Sequence, residues 1–120
     1  MRRRRSASAE AGDLLAGTLD LLILRTLQSG AAHGIFIAQS IEQRSDDVLL
    51  VEQGSLYPAL HRLEARGWIA SYWGLSESNR RARFYQLTRR GRGHLDAERS
   101  RWAALADAVG RVLAPTKGRG

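Results

Sequence analysis

Leu95, Trp102, Leu105, Val109 and Val112 stand seven, three, four and three residues apart. That interval is the a/d repeat of a helix whose apolar seam packs on another helix. The stretch Thr88 to Leu113 contains no proline, and as a helix it spans roughly 39 Å at 1.5 Å per residue. Gly91 and Gly93 are expected to weaken its first turns. A rod of that length has too little body to lie on, because what remains of the 120-residue chain folds into one modest domain. The seam therefore predicts a second copy of the chain, and residues 89–114 are read as a dimerisation helix.

The rest of the chain divides by composition. Residues 1–13, with Arg2, Arg3, Arg4 and Arg5, read as a flexible basic arm, residues 14–88 as the folded body, and residues 115–120 as a disordered tail. Arginines ahead of a leucine-rich stretch imitate a signal peptide. Asp20 and Arg25 interrupt that stretch, and a charge at the centre of an inserting segment costs about 2.5–3.5 kcal/mol. The expectation is a cytoplasmic protein with no membrane partner.

Within the body, Leu19, Leu22, Ile23, Thr26 and Leu27 form one stripe of a helix over 18–29, capped by Thr18 and stopped by Gly30. Leu21 and Leu24 lie on its other side, so this second apolar face is expected to meet the partner subunit. A second helix over 34–43 turns Gly34, Ile37, Ala38 and Ile41 inward and Phe36 outward. Val48-Leu49-Leu50-Val51 is β-branched and apolar, which suits a short strand. In the third helix Ser55 is the expected N-cap and Pro58 lies in the first turn. Leu56, Ala59, Leu60 and Leu63 point inward, which leaves an outward ridge of Ser55, Tyr57, Pro58, His61 and Arg62. Strands over 68–73 and 80–87 flank the turn cluster Gly74 to Asn79. Helix, helix, short strand, helix, hairpin, long helix describes a mainly α fold with a small β-hairpin. It is a winged helix-turn-helix carrying a long C-terminal dimerisation helix.

Charge narrows the partner. Lys and Arg number 19 against 12 acids, a net charge of +7. Such an excess favours a polyanion, usually nucleic acid and less often an anionic membrane surface, and together with the winged-helix pattern it points to double-stranded DNA. The third helix is the natural major-groove reader. Arg62 suits guanine or phosphate, and Tyr57 either reaches a phosphate or base edge or packs its ring on the hairpin. Arg80, Arg81 and Arg83 face a lone acid, Glu77, at the hairpin, where phosphate contact is expected. Asn79 reads as a turn former or a backbone contact. The chain has no cysteine, which excludes a disulfide framework, a thiolate zinc site and a Cys nucleophile. His33, His61 and His94 show no helical metal-binding spacing, the acids are scattered, and no glycine-rich phosphate loop is present. Neither a metal, a cofactor nor an enzyme is expected. His33 reads as a cap for the second helix, and Trp102 as packing or, less simply, as a platform for a ligand.

The stretch Gly54-Ser55-Leu56-Tyr57-Pro58-Ala59-Leu60-His61-Arg62-Leu63-Glu64 resembles the recognition-helix signature of the PadR family of transcriptional regulators. Gly17 to Leu24, Trp73-Gly74 through Asn79-Arg80-Arg81-Ala82, and Tyr85-Gln86-Leu87-Thr88 with Gly91 resemble the same family in the same order. The resemblance spans residues 14–113. It implies a homodimeric winged-helix DNA-binding repressor of the short subfamily, acting on an inverted-repeat operator and in many members released by a small-molecule effector. Two other classes fit parts of the sequence: a non-specific basic nucleic-acid-binding or architectural protein needs only the charge, and a protein–protein module needs only the seam.

Overall fold

A computed structural model of the chain describes residues 17–116. The expected basic arm at 1–13, and residues 117–120 of the expected tail, lie outside the described residues. Helix α1 runs through 17–28. It is followed by β1 (Ala32–His33), α2 (Gly34–Arg44), α3 (Gln53–Ala65), β2 (Ile69–Leu75), β3 (Arg81–Leu87) and α4 (Arg89–Leu113). The strands form one antiparallel sheet in the order β1-β3-β2. The fold is mainly helical with a small sheet, as the periodicities predict.

Each element has a local cause. Gly30, at φ 146°, lets the chain leave α1 by a route closed to other residues. His33 then caps α2, its Nδ1 accepting from the Phe36 N–H at 3.3 Å. Asp46 and Asp47 both adopt left-handed backbone and reverse the chain after α2. The wing turns on Asn79, also left-handed, whose N–H donates to the Ser76 carbonyl at 2.8 Å, so Asn79 fills its expected turn role. Thr88 caps α4 by accepting from the Gly91 N–H at 3.0 Å.

The core lies among the three helices of the body and the inner face of the sheet. It joins Leu19, Ile23, Leu24 and Leu27 to Ile37 and Ile41, to Leu56, Ala59, Leu60 and Leu63, and to Ala32, Ile69, Tyr85 and Leu95. Two expectations about the subunit interface are corrected here. Leu24 and Leu95 are each 0% exposed within the single chain, so neither has surface left for a partner. Helix α1 is enclosed on two sides by its own protein, and Leu95 is the residue that seats the start of α4 on the body. Leu21 is half-buried beside a cleft of about 230 Å³ that it lines with Trp68 and His94.

Two further expectations fail for reasons of hydrogen bonding. Residues 48–51 do not form a strand. The Leu49 N–H donates to Ser45 Oγ at 3.1 Å and the Val51 N–H to Glu42 Oε2 at 2.9 Å, so side chains of α2 and of its C-cap, Ser45, take the donors that a ladder would need. The third strand is instead β1, with Ala32 opposite Tyr85 and His33 opposite Phe84. Helix α3 starts two residues before Ser55 and its N-cap is Glu52, which makes no side-chain capping bond. Pro58 therefore sits inside the helix rather than in its first turn, where it has no N–H to offer the Gly54 carbonyl four residues back.

Beyond Leu95, α4 leaves the body. Its buried residues are Gly91 and Leu95, while Trp102, Leu105, Val109 and Val112 are exposed, from 47% to 83%. The helix gives the molecule extents of 62 × 39 × 24 Å.

Candidate nucleic-acid interface

Helix α3 buries Leu56, Ala59, Leu60 and Leu63 on one side. At 100° per residue, the opposite side carries Gly54, Pro58, His61 and Ala65, all exposed. This outer ridge, with Ser55 also exposed, stands clear of the body. Sequence reading started the helix at Ser55 and so missed Gln53, which is exposed at the first helical position. Glutamine is a side chain that can pair with both N6 and N7 on the major-groove edge of adenine. The absence of a side-chain cap at Glu52 is why no motif flagged the true start.

The two flanks of the ridge are braced. On one flank, Arg62 Nη2 meets Asp20 Oδ1 of α1 at 2.7 Å. On the other, Glu64 accepts from Ser71 Oγ of β2 at 2.5 Å and pairs with Arg83 of β3 at 3.4 Å. Arg83 Nε also donates to Ser71 Oγ at 2.9 Å. Asp20, Glu64 and Ser71 were not legible as site residues, because their partners lie 42, 19 and 12 residues away in sequence. Arg62 and Arg83, both expected to reach DNA, thus have acidic partners within the chain, although each remains partly exposed.

Tyr57 lies on the same flank as Glu64. It keeps 43% of its surface exposed. Its ring also covers Gly34, where a Cβ would stand 2.9 Å from the Tyr57 hydroxyl oxygen. The ring and hydroxyl thus pack on the start of α2 rather than on the hairpin as expected, and the side chain is still partly exposed. Behind it, burial pushes the Tyr85 phenol above its ordinary pKa of 10.0; the charge of Arg83 opposes this shift, and Glu64 and Tyr57 add to it.

The wing presents Arg80 and Arg81 at its exposed end. The Arg81 guanidinium lies 4.7 Å over the exposed Trp73 ring, with Arg83 at 5.9 Å. Recognition ridge and wing cations are thus carried by neighbouring elements, linked through Glu64. Among the described residues no group of three or more His, Cys, Asp or Glu is placed to hold a metal ion. No described helix is long and apolar enough to cross a membrane.

A helix-turn-helix with a basic wing is shared by many proteins, and comparison decides among them. The model of the transcriptional regulator PadR-like family matches residues 23–97, most of the described chain. The chain belongs to the PadR-like family. It is a DNA-binding transcriptional regulator, of a family of regulators rather than enzymes. A transcriptional regulator of Mycobacterium tuberculosis is 33% identical over 100 residues, covering 83% of this chain and 90% of the relative. The crystal structure of a PadR family regulator from Eggerthella lenta is 30% identical with a TM-score of 0.74, covering 97% of this chain and 99% of that one. A transcriptional regulator from Clostridium thermocellum superposes with a TM-score of 0.77 at 27% identity, covering 85% and 99%. The two solved structures share the overall fold described above.

Proposed function

We propose that this PadR-like regulator is a homodimeric repressor that reads an inverted-repeat operator with two copies of α3. The observation that carries the reading is the exposed seam of Trp102, Leu105, Val109 and Val112 on a helix that has left its own body. Such a stripe is the surface that a matching helix covers. With Leu24 and Leu95 inside the core, Leu21 and the distal half of α4 carry the contact. Two-fold pairing through α4 sets the two ridges for successive major grooves, roughly 34 Å apart. Gln53, Ser55, Tyr57, Pro58, His61 and Arg62 face the groove, and Asn79, Arg80 and Arg81 of the wing meet the flanking phosphates. Trp102, at the seam, offers an aromatic surface on which a small-molecule effector can act between the protomers.

A mobility-shift assay against the DNA upstream of the protein's own coding region tests this reading. Binding there is expected to be at least a hundredfold tighter than to random duplex at about 150 mM salt, a modest value for specific recognition. Equal affinity for both would leave a non-specific nucleic-acid-binding protein and end the operator reading.

A further inference from the structure

Glu64 is an acid on the flank of the recognition helix, and it is committed to the wing. Its carboxylate accepts from Ser71 Oγ at 2.5 Å and pairs with Arg83 Nη2 at 3.4 and 3.5 Å. Arg83 Nε closes the triangle onto Ser71 Oγ at 2.9 Å. One residue of α3 is thereby tied to both strands of the hairpin, Ser71 lying directly opposite Tyr85 and Arg83 opposite Trp73 in the β2–β3 register. β1 pairs with β3 only at Tyr85 and Phe84, where His33 and Tyr72 pack on the Phe84 ring. From Arg83 outward the wing is two strands, and Tyr72, Trp73 and Leu75 are all exposed. An antiparallel pair this narrow twists and bends readily unless something fixes its angle.

We propose that Glu64 is a positioning residue for DNA recognition: with Ser71 and Arg83 it clamps the wing at a fixed distance from the recognition ridge. The clamp withholds Arg83 from the phosphates and uses it for geometry, so the wing's phosphate contacts come from Arg80 and Arg81. A fixed spacing between ridge and wing rewards only duplexes in which groove and backbone lie in the matching register. The clamp therefore contributes to discrimination between sequences and subtracts from general affinity. This inference rests on the reading that the wing touches the duplex.

The test measures affinity against salt for two probes, a duplex selected from a random pool by the unaltered protein and a random duplex of equal length. Glu64→Gln removes the charge that holds Arg83 and retains the shape of the side chain. It is expected to weaken binding to the selected duplex about tenfold, the scale of one lost charge-assisted hydrogen bond. On random duplex the freed Arg83 adds a phosphate contact, steepening the slope of log K against log salt by about 0.9. Glu64→Asp, which keeps the charge, restores part of the discrimination. Arg83→Ala loses the discrimination without the added slope. A variant that has merely lost structure weakens both probes together, and circular dichroism melting identifies it. That outcome, or unchanged values for Glu64→Gln on both probes, overturns the clamp. In parallel, Arg80→Ala with Arg81→Ala tests the wing itself. If the double variant keeps the full salt slope, the wing does not touch DNA and the clamp falls with it. If the slope drops while Glu64→Gln changes nothing, the wing contact stands and only the clamp is refuted.

Discussion

Replacing Gly91 by alanine and replacing Gly93 by alanine are expected to move stability in opposite directions. Both glycines lie in the opening turns of α4, where propensity alone favours alanine by about 0.8–1.0 kcal/mol. At Gly93 an added Cβ meets nothing within 4 Å. Gly93→Ala is therefore expected to stabilise by roughly that amount. At Gly91 the same carbon would stand 1.9 Å from the Trp68 carbonyl oxygen and 2.8 Å from Leu87 Cδ1. An ordinary carbon–oxygen contact needs about 3.3 Å, so α4 must move by more than an ångström against backbone that cannot step aside. The displaced carbonyl also accepts the Thr88 N–H at 3.0 Å. Overpacking costs about 1–3 kcal/mol and a weakened hydrogen bond about 1 kcal/mol, against which the propensity gain is about 1 kcal/mol. The net loss is about 1–3 kcal/mol, or a Tm roughly 4–20 °C lower for a domain of this size. Thermal and urea unfolding at equal protomer concentration measure both variants. If Gly91→Ala is as stable as Gly93→Ala, the close seating of α4 on the Trp68 carbonyl is wrong.

Two further outcomes follow from the geometry. Leu105→Asp places a charge on the exposed seam of α4, where burial is worth about 25 cal/mol per Å²; light scattering at micromolar concentration should then give the monomer mass, and an unchanged dimer mass would remove the seam from the interface. Tyr85 holds its proton more tightly folded than unfolded, so its contribution is complete below about pH 10 and is lost as pH climbs from there towards the folded pKa. Stability measured across roughly pH 9–11 should fall less steeply in Tyr85→Phe than in the unaltered protein, and parallel profiles would exclude Tyr85 as the source.

Periodicity made most of the architecture legible. The stripe Leu56-Ala59-Leu60-Leu63 is buried as read, and so is Leu19-Leu22-Ile23-Thr26-Leu27 except for the half-buried Leu22; His33 caps its helix. What the chain hid was tertiary. Val48 to Val51 is β-branched and apolar like a strand, yet only three-dimensional structure reveals that Ser45 and Glu42 take its donors. Leu24 looked like a second face because a stripe predicts one buried side, whereas α1 is enclosed on two. Leu95 begins the heptad seam but belongs to the body, since a rod must be anchored before it can project. The braces Asp20–Arg62 and Glu64–Ser71–Arg83 join residues with no local spacing to betray them. Gln53 stayed hidden because the helix begins without the side-chain cap that would have marked it.

Gly54, Pro58, His61 and Ala65 are held in place by neighbours on either side and contribute nothing to the core themselves. Their identities can therefore drift without jeopardising folding. A duplicated copy of such a gene can acquire a new target by changing a handful of codons, while every packing contact is inherited intact. A body built this way allows its descendants to diversify in what they read long before they diverge in shape.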